Sequence, residues 1–256
     1  MRLNKILIGS LFTVSILFSS GHGGDNEHSS THWGYTGHGG PGNWGDLSEK
    51  YQMCKLGSSQ SPIDIRHDVL VKTRALEEIN FSYNRGAESV INNGHTIQVN
   101  VKEGNSISID GIRFELKQFH FHTPSENEIQ GKSFPLEAHF VHVSSDGKIA
   151  VVAVLFEEGR YNSTLKKIWR KMPYRVGATE HLELSSAYIK MLLPRDKSYY
   201  RFSGSLTTPP CSEGVRWFVL KNYSRVSEQQ VGDFLNIMQH PNNRPIQPIN
   251  ARKIMN

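Results

Sequence analysis

With 256 residues, 37% of them hydrophobic and 10% aromatic, the chain can bury a large core without a staple, and a β-rich domain of this length commonly stays single. A formal charge of +5, with Lys and Arg scattered and never five in a row, reads as a solvated mixed-charge surface and argues against a nucleic-acid-binding protein. Beyond the N-terminal apolar stretch, no segment is long and apolar enough to cross a bilayer.

Residues 1–21 have the layout of a secretory signal peptide. Arg2 and Lys5 form a charged start. Ile6 to Phe18 is an apolar run broken only by small and hydroxyl residues, and Ser19 and Gly21 are the small residues a cut after Gly21 requires. The run is short for a membrane anchor. The expectation is export to a periplasmic or secreted location, with no anchor after cleavage. Residues 22–31, within GHGGDNEHSSTH, are rich in Gly, Ser and His without periodicity and read as a flexible leader. One domain over 32–256 follows, with no internal repeat or linker. From His32 to Trp44, glycines interleave with Trp33, Tyr35 and Trp44. Three large rings are costly to leave in water, so this stretch reads as an ordered loop packed on the domain. Cys54 and Cys211 are the only cysteines. In an oxidising compartment an even pair reads as a disulfide, two unpaired buried thiols being the alternative; neither lies in a CxxC pair that would suggest zinc.

The remainder reads as mainly β with a few short helices. TIQVNV at 96–101 alternates, with Ile97, Val99 and Val101 on one face. Asp110-Gly111 and Asp146-Gly147 are hairpin-turn signals. In 112–122 the apolar parity changes: Ile112, Phe114 and Leu116 are even, Phe119 and Phe121 odd, so the two faces exchange polarity near residue 117. Beyond that point Gln118, His120 and His122 share one face, backed by two phenylalanines that favour burial. The polar face therefore points toward an interior cavity. In 137–142, Glu137, His139 and Val141 share one face, and Ala138, Phe140 and His142 the other. Parity selects His139 to join His120 and His122, leaving His142 as a buried, hydrogen-bonded histidine. Three neutral imidazoles from rigid strands suit Zn2+ with its fourth position open, a catalytic rather than structural arrangement. Gln118 and Glu137, each two residues before a candidate ligand, are placed to orient the imidazoles. AVVAVLF at 150–156 reads as a strand buried on both faces, and VRWFVL at 215–220 as another. The best helix is 228–239, with Ser227 as cap and Gln230 three residues on; shorter helices start near Ser163 and Ser186.

Taken together, HWGY (32–35), QSPIDI (60–65), NNGHT (92–96), QFHFHTPSE (118–126), EAHFVH (137–142), GSLTTPPCSEGVRW (204–217) and NNRPIQP (242–248) resemble the alpha-class carbonic anhydrases of the exported, bacterial type. The resemblance spans about residues 32–253. It implies a large, twisted, mostly antiparallel sheet with a conical active-site cavity, and reversible hydration of carbon dioxide to bicarbonate and a proton at zinc. By this likeness His120, His122 and His139 match the zinc ligands, and Gln118 and Glu137 their supports. Thr207 matches the threonine that accepts a hydrogen bond from zinc-bound hydroxide, and Glu126 the glutamate that accepts that threonine's proton. Thr208 matches a second polar contact near the substrate. Val141, Val151, Leu206, Val215 and Trp217 match the apolar wall for carbon dioxide. His95 matches the proton shuttle; Tyr35, Asn93 and Gln98 match the side chains ordering water between it and zinc. Cys54 and Cys211 match the disulfide of exported members, some of which form homodimers. Asn127 departs from the pattern, since many relatives have histidine there; the expected effect is on local structure, with little on chemistry. A non-catalytic carbonic-anhydrase-like binding module and a zinc esterase with another substrate are the competing readings.

Overall fold

The structure, a computed structural model, describes residues 32–256. The expected signal peptide and the whole of the expected leader lie outside the described residues. In chain order the strands are β1 (Asp64–Ile65), β2 (Leu70–Val71), β3 (Asn80–Tyr83), β4 (Ala87–Asn92), β5 (Ile97–Val101), β6 (Asn105–Ile109), β7 (Ile112–His122), β8 (Glu128–Ile129), β9 (Leu136–Ser144), β10 (Ile149–Glu158), β11 (Thr179–Leu184), β12 (Tyr199–Ser205), β13 (Glu213–Leu220), β14 (Ser224–Val226) and β15 (Ile254–Met255). The α-helices are α1 (Trp44–Leu47), α2 (Met53–Leu56), α3 (Ser163–Trp169), α4 (Ser186–Leu192) and α5 (Glu228–Met238). One sheet dominates, ordered β11-β4-β5-β7-β9-β10-β13-β12-β15-β2, with β3, β6 and β14 attached beside it. Its centre is antiparallel from β4 to β10, then parallel at β10–β13.

The strand pattern explains how the sheet acquires two different faces. Along β10, Ala150, Val152, Val154 and Phe156 enter one apolar cluster, while Val151, Ala153 and Leu155 enter another on the opposite side. The first cluster is completed by Leu165, Ile168 and Trp169 of α3, Ile189 and Leu192 of α4, and Phe234 and Met238 of α5. The second joins Phe202, Val215, Trp217 and Val219 and lies on the side that carries the histidines. The polarity exchange in 112–122 has a structural cause: the β7–β9 register shifts between Leu116 and Gln118, a bulge that turns over the strand's facing. Phe114 and Leu116 before it, and Phe119 and Phe121 after it, all enter the helix-covered core. Asp110 and Gly111 both take positive φ (53° and 68°), as a two-residue hairpin turn between β6 and β7 requires.

The helix α5 begins with a capping box, Ser227 accepting from the Gln230 amide and the Gln230 side chain returning to Ser227, and stops at Gln239 in the left-handed conformation. Trp33, Tyr35 and Trp44 pack edge to face, at centroid separations of 5.2–5.8 Å, over a small cluster containing the bonded Cys54–Cys211 pair. No helix among the described residues is long and apolar enough to cross a membrane.

Candidate metal centre

The centre is built on adjacent antiparallel strands. His120 of β7 lies opposite His139 of β9, and His122 lies two residues further along β7, opposite Glu137. Their ring centroids are 4.6–5.4 Å apart, and one donor atom from each falls within 4.8 Å of the others. His122 and His139 are each 1% exposed, whereas His120 keeps partial exposure, so the cluster opens to solvent on one side. Burial, the largest cause for each ring, lowers all three pKa values and keeps the imidazoles neutral with lone pairs available.

The second nitrogen of each ring decides which atom is free. His120 Nδ1–H donates to Gln118 Oε1 at 2.8 Å, and His122 Nδ1–H to the Asn242 carbonyl at 2.8 Å. His139 Nε2 lies 3.0 Å from Glu137 Oε1, close but too poorly aligned to count as a hydrogen bond. These acceptors assign the tautomers and leave His120 Nε2, His122 Nε2 and His139 Nδ1 as the convergent donors. Glu137 is itself anchored: Oε2 accepts from the amides of Glu126 (2.7 Å) and Asn127 (2.8 Å), and Oε1 from Asn127 Nδ2 (2.7 Å). The buried polar atoms without a partner include His122 Nε2, Glu126 Oε2 and Tyr35 Oη. Such orphans are rare in a folded interior, and their coincidence with three neutral imidazole donors fits a small cation bound here.

Glu126 is fully buried, and desolvation pushes its pKa up to about 8 against the opposing hydrogen bond from the Thr207 hydroxyl. Oε1 accepts from the Arg244 amide at 2.8 Å. Oε2 has no well-aligned donor; it lies 3.5 Å from His122 Nε2 and 3.8 Å from His139 Nδ1. Tyr35 is close enough for the Glu126 charge to add to burial in raising its pKa. Val151, Val215 and Trp217 form a buried apolar surface with Val141 and Leu206 packed on it, and Trp217 sits edge-on to His139 at 4.9 Å. Half-buried Thr208 accepts from the Cys211 amide at 2.8 Å through its carbonyl.

His95 lies apart from the three-histidine cluster. Asn93 Oδ1 accepts from the amides of His95 (3.0 Å) and Thr96 (2.9 Å), and Asn93 Nδ2 donates to Gln98 Oε1 at 3.4 Å. The His95 ring stacks on Trp33 at 3.7 Å with an interplanar angle of 8°. Burial first, then the nearby His32 and His240, bring its pKa down to about 4. In this position it does not titrate near neutrality, in contrast to what the resemblance suggests for a shuttle. His142, the other histidine of β9, is buried on the opposite face; it pairs with Tyr83 Oη at 2.8 Å and the Ala150 carbonyl at 3.3 Å.

Two supporting residues escaped the sequence reading. Asn242 receives His122 through its carbonyl, and its side chain accepts from Thr123 N and donates to the carbonyls of His95 and Phe121. Arg244 is a buried guanidinium binding Gln60, Ser61 and Cys54. Both sit in NNRPIQP, and the signal was the presence of polar residues in a motif that otherwise lacked a role. Asn127, expected to affect local structure with little effect on chemistry, donates directly to the carboxylate beside His139.

A twisted mixed sheet presenting three strand-borne imidazoles beside an apolar wall defines a metalloenzyme-like centre of the carbonic anhydrase type. The family model for eukaryotic-type carbonic anhydrases matches residues 39–256, and the chain belongs to that family. A carbonic anhydrase of Pectobacterium carotovorum is 49% identical over 242 residues, covering 94% of this chain and 96% of that protein. One from Neisseria gonorrhoeae is 45% identical over 255 residues, covering 99% and 96%. The solved alpha-carbonic anhydrase of Thermovibrio ammonificans, in complex with the inhibitor sulfanilamide, superposes with a TM-score of 0.84 at 50% identity, covering 88% of this chain and 99% of that one.

Proposed function

We propose that this chain catalyses the reversible hydration of carbon dioxide to bicarbonate and a proton, with zinc held by His120, His122 and His139. The observation that carries the reading is the convergence of three neutral imidazole donors within 4.8 Å, their ring orientations supported from behind by Gln118, Asn242 and Glu137. Bound zinc supplies Lewis acidity that makes a water nucleophilic near neutral pH, as is known for carbonic anhydrases. Three uncharged ligands leave the ion's full charge in place; a carboxylate among them would weaken it.

The remaining residues position and separate. Thr207, donating its proton toward Glu126, presents a lone pair and so accepts a hydrogen bond from the nucleophile, aiming the nucleophile's own lone pair at carbon. Val141, Val151, Leu206, Val215 and Trp217 offer an apolar site for a substrate without a dipole, and Thr208 a second polar contact. Asn93, Gln98 and Tyr35 order water toward His95. The His95 ring, stacked half-buried on Trp33, is the group that hands the proton on to buffer, and burial there lowers its pKa to about 4. The bonded Cys54–Cys211 pair and the apolar N-terminus support export of the enzyme.

Stopped-flow hydration with and without a chelator tests the proposal. Rapid hydration that chelation abolishes and added zinc restores is the expected result. A zinc-loaded protein that leaves the hydration rate unchanged refutes it in favour of a non-catalytic module.

A further inference from the structure

Basic residues never occur five in a row, yet they are concentrated. Arg160, Lys166, Lys167, Arg170, Lys171 and Arg175 fall between 160 and 175 with no carboxylate among them. These six cations exceed the chain's net charge of +5, so the rest of the chain is together slightly acidic. Helical period segregates them: Leu165, Ile168 and Trp169 of α3 enter the core, which leaves Lys166, Lys167 and Arg170 facing out, with Lys171 just past the helix end. All six are exposed, and none forms an ion pair among the described residues. Asp233, lining the groove shared with Lys166 and Arg170, is the carboxylate that borders them there.

The turn that follows α3 exposes two large apolar side chains, Tyr174 at 82% and Val176 at 71%. It is held rigidly. Asn92 Nδ2 donates to the carbonyls of Pro173 (3.1 Å) and Tyr174 (3.3 Å), and Gly177 N donates to the Asn92 carbonyl at 2.7 Å. Val176 Cγ1 reaches to 3.0 Å from where a Cβ on Gly94 would stand. The exposed pair is thus fixed against the loop that carries His95.

We propose that residues 160–176 form a docking surface for an anionic phospholipid bilayer. The unpaired cations complement lipid phosphates, while Tyr174 and Val176 have the character of residues that settle at the headgroup–acyl boundary. A nucleic acid would engage the same cations but leave Val176 in water, so the lipid surface accounts for both halves of the patch. Docking so placed brings the loop of His95 beside the membrane surface.

Vesicle co-sedimentation tests this, with phosphatidylcholine alone and with phosphatidylcholine containing phosphatidylglycerol, at low and molar salt. Binding is expected only to the anionic vesicles and is expected to be lost in molar salt. Binding to both vesicle types alike would point to the apolar N-terminal stretch instead and overturns the proposal. The combined variant K166Q/K167Q/R170Q/K171Q should weaken partitioning several hundred-fold, at about fivefold per cation, with solution hydration activity unchanged. Y174S/V176S should weaken it by a smaller factor while leaving the salt dependence. Wild-type affinity in the four-fold variant overturns the proposal. So does a duplex DNA oligonucleotide bound as tightly as the anionic vesicles by a Y174S/V176S protein whose lipid binding is unaltered.

Discussion

Replacing Arg244 with methionine removes a buried guanidinium that donates to Gln60 Oε1 (2.9 Å), the Ser61 carbonyl (2.8 Å) and the Cys54 carbonyl (2.8 Å). Each acceptor left unpaired in the interior costs about 1–3 kcal/mol, so about 6 kcal/mol for three. Against this, burial lowers the arginine's pKa from its ordinary value to about 10, a cost to its charged form of about 3 kcal/mol that methionine relieves. The cation also lies 5.7 Å from the centroid of the fully buried Trp44, a desolvated contact worth about 2 kcal/mol. The acceptors win, and the variant should be less stable by about 5 kcal/mol. In urea titration the midpoint should fall by about 2 M at unchanged slope. Zinc uptake should persist, since the guanidinium's hydrogen bonds do not reach the three ligand histidines. A midpoint equal to or above that of the parent would show that desolvation outweighs the hydrogen bonds, the balance known for some buried charges.

His95→Ala should keep its zinc and slow turnover in weak buffer, with recovery on adding imidazole; unchanged turnover at low buffer concentration contradicts the shuttle role. His142 has a folded pKa of about 3 against an unfolded value near 6.5, so the unfolded chain takes up the proton first. Its stabilising contribution is complete above pH 6.5 and is lost as pH falls toward 3, by up to about 5 kcal/mol; denaturation midpoints across this range should fall less steeply in His142→Gln, and coincident profiles would exclude it as a source of acid lability. The Cys54–Cys211 bond closes a separation of 157 residues, which in the loop-entropy picture is worth about 5 kcal/mol. The double serine variant should therefore melt roughly 10–20 °C lower, and a drop of only ~2 °C contradicts that estimate.

Local periodicity made much of the fold readable. The alternation of TIQVNV became β5, the uninterrupted apolar run 150–156 became a strand feeding both cores, and Ser227 with Gln230 marked the start of α5. The bulge was visible as an exchange of parity at Lys117, and the same parity on β9 separated His139 from His142. What stayed hidden depends on contacts far apart in the chain. Asn242 meets His122 across 120 residues, and Arg244 meets Cys54 across 190. Pattern cannot reveal such partners. The short helices α1 and α2 carry too few turns to show a period, and after Gly94, with φ of 85°, strand parity no longer aims the His95 ring. The continuous apolar run of β10 fits a strand covered on both faces but does not say that β13 is its parallel partner.

Metal analysis of the purified protein beside His122→Ala, with hydration measured on the same samples, is the most direct test of the three-imidazole centre. Stoichiometric zinc in the parent, and loss of zinc and hydration together in the variant, is the result expected. A variant that keeps its zinc, or a parent that hydrates carbon dioxide after its metal has been stripped, would contradict it.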